Sequence, residues 1–140
     1  MAGFDSDYSD YTVLIVDDIS MNIYLLQKIL SRFNFNILTA KSGREALSMM
    51  TSIKPALVFM DVMMPGMDGL ATVRAIRNDP SNSDIRIIMV SALNSEEDVQ
   101  AALQRGANDY VTKPIIMSTL TDVVMKQMDA YRKAKEGGTV

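Results

Sequence analysis

The chain has 140 residues, a net charge of −3 and 48% hydrophobic content, so it is sized for one domain with a self-sufficient core, and its acidic balance argues against direct nucleic-acid binding. It contains no Cys and no His, which excludes thiol nucleophiles, thiolate zinc sites and histidine bases and leaves the chemistry to carboxylate, hydroxyl and ammonium groups. No apolar run approaches the roughly 20 residues of a membrane span, and the acidic N-terminus lacks a signal-peptide pattern; a cytoplasmic protein without membrane insertion is expected.

Residues 1–10 alternate acids with aromatics without periodicity and read as a flexible arm. Tyr11 to Val16 is an apolar run of strand length ending in Asp17 and Asp18, and Ser20 then precedes a helical stripe of Ile23, Leu26, Ile29, Leu30 and Phe33. Phe35 to Thr39 reads as a second strand. Gly43 to Thr51 reads as a second helix, with Ala46, Leu47 and Met50 on one face. Ala56 to Met60 is a third strand that runs directly into Asp61. A loop with Pro65, Gly66 and Gly69 follows, in which Asp68 is placed to cap a third helix carrying Leu70, Val73 and Ile76. The run Asn78 to Ser83 ends that helix as a loop.

Ile85 to Val90 is a fourth strand, rich in β-branched residues, with Ser91 after it. Ser95 and Asp98 form a capping-box pattern for a fourth helix, which buries Val99, Ala102 and Leu103 and stops at Gly106. Tyr110 and Val111 make a short fifth strand, followed by Lys113 and Pro114. Met117, Leu120, Val124, Met128 and Tyr131 then mark a fifth helix, and residues 134–140 read as a flexible tail. Most of the twelve Met are expected to be core filler. Five strands alternating with five helices predict a doubly wound parallel sheet covered on both faces, with ligands beyond the carboxyl ends of the strands.

Those strand ends carry Asp17, Asp18, Asp61, Ser91 and Lys113. Each has an ordinary reading as a turn, cap or solvated loop residue. Four strand ends with polar groups of useful type favour a shared site instead. Two carboxylates about 4 Å apart repel by roughly 4 kcal/mol at an effective dielectric near 20, on the order of three pKa units. Three of them therefore call for a cation. Oxygen-only ligands suit Mg²⁺, with Mn²⁺ as a substitute, better than Ca²⁺ or zinc. Lys113 and Ser91 add a point charge and a hydroxyl donor for phosphoryl oxygens, so the set reads as a phosphoryl-transfer site with a carboxylate nucleophile.

Five features in order carry a family resemblance over residues 11–133: Asp17-Asp18, Asp61 with Met64-Pro65-Gly66-Met67-Asp68-Gly69, Ser91-Ala92, Asp109-Tyr110-Val111-Thr112, and Lys113-Pro114. The chain resembles the receiver domain of two-component response regulators. The resemblance implies a flavodoxin-like (CheY-like) five-stranded sheet of order 2-1-3-4-5. By position it makes Asp61 the phosphoacceptor. Asp18 becomes a direct Mg²⁺ ligand, assisted by Asp17 and the Met63 carbonyl. Lys113 becomes the phosphoryl partner, and Ser91 the switch hydroxyl. Tyr110 has two readings, a core aromatic or the aromatic switch that turns towards the space Ser91 vacates. A cis Lys113–Pro114 bond is also implied. Met63 and Leu93, two residues after the acceptor and the switch hydroxyl, are apolar, which implies slow self-dephosphorylation.

The function expected on this basis is a phosphorylation-controlled binding switch that is not an enzyme towards other substrates. A sensor histidine kinase or histidine phosphotransfer protein would supply the phosphoryl group, and the α4-β5-α5 surface would meet a downstream protein target, as a monomer or a phosphorylation-dependent dimer. An aspartate-nucleophile phosphatase is the main alternative, but Met63 stands where its second Asp belongs. A flavin or nucleotide module would need a glycine-rich phosphate loop that is not present. A phosphorylation-independent docking module on the same fold would not need the acidic set.

Overall fold

The computed structural model describes residues 7–137. Five strands, β1 (Thr12–Val16), β2 (Asn36–Ala40), β3 (Leu57–Met60), β4 (Arg86–Ser91) and β5 (Asp109–Thr112), alternate with five helices, α1 (Ser20–Leu30), α2 (Gly43–Met49), α3 (Gly69–Arg77), α4 (Glu96–Arg105) and α5 (Met117–Gly137). The strands form one sheet in the order β2-β1-β3-β4-β5, and every pairing is parallel. This is the flavodoxin-like order expected from the sequence.

Strand alternation sorts the core into two layers. Val13, Ile15, Leu57, Phe59, Ile88 and Val90 pack on one face against Ile23, Leu26 and Leu30 of α1 and Leu120, Val124 and Met128 of α5. Leu14, Val16, Val58, Met60, Ile87 and Met89 face the other way, onto Ala46 of α2, Val73 and Ile76 of α3 and Ala102 of α4. The central strands are apolar at successive positions because both of their faces are covered. No helix among the described residues is long and apolar enough to cross a membrane.

Local signals act as read at several ends. Asp68 accepts the Ala71 amide at 2.8 Å, Ser95 and Asp98 form a reciprocal capping box, and Gly106 closes α4 in a left-handed conformation at φ 119°. Two boundaries extend where tertiary pairing supplies partners. β5 runs two residues longer than its apolar pair because Asp109 and Thr112 complete the ladder with Ile88 and Ser91. The loop after α3 contains a 3₁₀ turn at Pro80–Asn82, capped by Asp79.

The two ends of the chain correct the expected flexible segments where they are described. Tyr8 is buried, stacked on Phe35 at 5.0 Å and Phe33 at 6.0 Å between ring centroids, and its amide donates to the Phe33 carbonyl. Arg132 lies over the Tyr8 ring at 4.6 Å and the Tyr11 ring at 5.4 Å. The tail expected from residue 134 is helical through Gly137, with Lys135 paired to Asp84 at 3.4 Å. Both departures rest on contacts between distant segments that have no local periodicity. Residues 1–6 and 138–140, the remainder of the expected arm and tail, lie outside the described residues.

Candidate functional site

β1 and β3 are neighbours in the sheet, which brings the residues that follow them together. The Asp61 amide continues the ladder by donating to the Val16 carbonyl at 3.0 Å. Asp17, Asp18 and Asp61 each offer a carboxylate oxygen, and these oxygens all lie within 4.8 Å of one another. β5, on the other side of β4, ends with the Lys113 amide donating to the Ser91 carbonyl at 2.9 Å. The Lys113–Pro114 bond is cis. Lys113 Nζ lies 3.5 Å from Asp17 Oδ2 and 3.8 Å from Asp61 Oδ1.

Each carboxylate is differently engaged. Asp17 Oδ1 accepts the Ile19 amide at 2.9 Å, which anchors the turn into α1 and aims Oδ2 at Lys113. Asp61 Oδ1 accepts the Met63 amide at 3.4 Å, and no hydrogen bond reaches its Oδ2 among the described residues. Asp18 Oδ1 is buried without a hydrogen-bond partner. Burial raises the Asp61 carboxyl above the ordinary carboxylate value, and the charges of Asp17 and, less strongly, Asp18 add to this; Lys113 and the Met63 amide oppose it.

Three carboxylates against one ammonium leave two negative charges uncompensated. Together with the orphaned Asp18 oxygen, this donor set fits a hard divalent cation bound through oxygen. The uncompensated charge alone would equally suit protonation of Asp61. The all-oxygen geometry and the buried lone acceptor favour a cation.

Gly69 was noted in the sequence only as a loop residue, yet it determines where Asp61 sits. Its amide donates to the Val62 carbonyl at 2.8 Å, and a methyl group at this position would overlap the Asp61 carbonyl. The loop after β3 therefore folds back directly over the acceptor's backbone. A close approach of this kind leaves no periodic or compositional mark.

Ser91 is buried at the end of β4, and its Oγ accepts the Leu93 amide at 3.1 Å. Tyr110 packs partly buried against the α2-α3-α4 layer, and its hydroxyl donates to the Leu93 carbonyl at 2.6 Å. Its ring is thus already turned towards the loop after β4. Burial raises the Tyr110 phenol, the nearby Ser91 hydroxyl lowers it, and the charges of Asp98 and Asp61 raise it further. Met63 is 63% exposed, and it lines an open cleft of about 570 Å³ with Val62, Met64, Pro65, Asp68 and Leu93.

Fold and site together define a doubly wound α/β signalling module whose acidic cluster and lysine meet at the carboxyl ends of the central strands. Residues 13–129 match the response regulator receiver domain, and the chain belongs to that family. It is 39% identical over 103 residues to the response regulator PleD of Caulobacter vibrioides, which covers 74% of this chain but only 23% of PleD. Against protein PilH of Pseudomonas aeruginosa it is 33% identical over 112 residues, or 80% of this chain and 93% of PilH. A putative response regulator from Chloroflexus aurantiacus superposes with a TM-score of 0.81 at 30% identity, covering 85% of this chain and 98% of the other. The chemotaxis protein CheY4 of Vibrio cholerae gives 0.78 at 28% identity, covering 83% and 97%.

Proposed function

We propose that Asp61 accepts a phosphoryl group from a phosphohistidine on another protein and that the resulting acyl phosphate changes the surface around α4, β5 and α5. The observation that carries this reading is Asp61 lying at once within 4.8 Å of the Asp17 and Asp18 oxygens and 3.8 Å from Lys113 Nζ. The 140 residues contain no histidine, so the donor lies outside them.

In the transfer, an Asp61 carboxylate oxygen attacks phosphorus. A new O–P bond forms while the P–N bond breaks and the imidazole leaves with its electron pair. Asp18, Asp17 and the Met63 carbonyl would hold Mg²⁺. When bound, that ion neutralises charge on the transferring oxygens. Lys113 supplies a second positive charge, released from its present carboxylate partners towards a phosphoryl oxygen. Ser91 Oγ accepts from Leu93, so its own proton is free to be donated to another oxygen. Exposed Ile19, Met21, Tyr24 and Leu25 beside the acidic site, with Ile116 and Met117 after Pro114, offer an apolar contact surface to a protein donor.

The aspartate-nucleophile phosphatase reading lacks support, because Met63 stands in place of the required general acid and its side chain is exposed. The decisive experiment is incubation with acetyl phosphate and Mg²⁺. One hydroxylamine-labile phosphoryl group is expected on the parent and none on Asp61→Asn. Equal labelling of the two would overturn the assignment.

A further inference from the structure

Crossover helices run back against the direction of the strands, so the C-terminal ends of α3 and α4 meet at the edge of the sheet farthest from Asp61. There Arg74, Arg77 and Asn78 of α3 and Gln104 and Arg105 of α4 line a cleft of about 450 Å³ with no apolar side chain in its wall. Three guanidinium groups converge in a chain whose net charge is −3. Among the described residues none of the three is ion-paired. Arg77 is half-buried, and its donors go only to neutral oxygens: Nε to the Gly106 carbonyl at 2.9 Å, Nη1 to the Asn82 carbonyl at 2.8 Å and Nη2 to Asn108 Oδ1 at 2.8 Å. Arg105 donates to the Ala101 carbonyl at 3.1 Å. Arg74 is exposed and makes no hydrogen bond among the described residues.

A basic residue near each helix C-terminus complements the macrodipole. That accounts for one guanidinium per helix, but not for a third, nor for a half-buried charge with no counter-ion. The neighbouring charge felt by Arg77 is a further cation, Arg86, so nothing nearby compensates it. We propose that this cleft is an anion site for a small phosphorylated ligand of up to mononucleotide size. Planar guanidinium forks match phosphate oxygens bidentately. The volume lies within the range of small-molecule sites. Asn78 and Gln104 each bring a neutral donor and acceptor for the esterified part of such a ligand. The absence of apolar wall residues disfavours a lipid tail or a hydrophobic peptide.

The test is titration of the ¹⁵N-labelled chain with inorganic pyrophosphate and with ADP, in metal-stripped buffer where the acidic cluster around Asp61 repels anions. Saturable amide shifts confined to residues 74–78 and 104–106, with a Kd below about 1 mM at moderate salt, are expected. Arg74→Gln with Arg105→Gln should weaken binding by about tenfold or more. Both side chains lie far from Asp61, so labelling by acetyl phosphate should be unchanged. Shifts centred on Lys113, absence of saturation below about 10 mM, or sulfate binding as tightly as pyrophosphate would each overturn the proposal. The parent titration decides the matter even if the double variant folds poorly.

Discussion

The Tyr110 hydroxyl and the Ser91 hydroxyl hold the same residue from opposite sides: Tyr110 donates to the Leu93 carbonyl at 2.6 Å, and Ser91 accepts from the Leu93 amide at 3.1 Å. The loop after β4 is therefore tied to β5 and to the end of β4 through one peptide segment. Recruitment of Ser91 by a phosphoryl group would disturb both ties together. Tyr110→Phe should speed amide exchange over residues 92–95 and cost about 1 kcal/mol in stability, with labelling at Asp61 retained. Ser91→Ala should retain Mg²⁺ binding but shrink the beryllofluoride-induced amide shifts along residues 91–120. Shifts in α4, β5 and α5 indifferent to both substitutions would mean that the signal leaves by another route.

Removal of the cation should expose the cost of the acidic cluster. Mg²⁺ at a hundredfold above its Kd should stabilise the fold by about 2.7 kcal/mol, and Asp18→Asn should lose most of that gain. The Asp61 carboxyl is raised in the folded state, so its contribution to stability is fully present below the ordinary value of 3.8 and is lost as pH rises through the folded value. In metal-free buffer, Asp61→Asn should therefore compare more favourably with the parent at pH 7 than at pH 4. Urea denaturation at the two pH values measures this, and an equal difference at both would count against the burial account.

Gly69→Ala tests the close approach of the loop after β3 to the Asp61 carbonyl. Overpacking of this kind costs about 1–3 kcal/mol. Displacement of the acceptor should also slow acetyl phosphate labelling by about tenfold or more. A variant that loses stability but labels at the parental rate would show that the overlap is relieved away from Asp61.

Met63 and Leu93 flank the cleft beside Asp61 without a hydrogen-bonding side chain to orient an attacking water. Met63→Asn should shorten the acyl phosphate half-life several-fold while leaving stability unchanged, since Met63 is exposed. Decay of radiolabelled protein in denaturing gels gives the rate directly. An unchanged half-life would place control of hydrolysis elsewhere.

Tyr8→Ala removes a buried ring packed on Phe33 and Phe35 and capped by Arg132. Truncation of a buried aromatic costs about 3–5 kcal/mol, on the order of 10 °C in Tm for a domain of this size. Tyr8 precedes β1 and Asp61 follows β3, at opposite ends of parallel strands, so labelling should persist at temperatures where the variant remains folded. A Tm within a degree or two of the parent would show that the clasp contributes little.

The amino-acid sequence by itself determined the layered fold and the membership of the site. Unbroken apolar runs can only be strands buried on both faces, and parallel connections place whatever follows them at one edge, so Asp17, Asp18, Asp61, Ser91 and Lys113 were readable from position alone. Tertiary structure decided what depends on distance between segments remote in the chain. Tyr8 is ordered because Arg132 and the Phe33–Phe35 pair reach it, and α5 continues to Gly137 where composition suggested fraying. The restraint on Gly69, the orientation of Tyr110 towards Leu93 and the convergence of Arg74, Arg77 and Arg105 likewise belong to packing. Local periodicity records which face of an element is buried, but the particular atoms that meet there follow from how the elements pack.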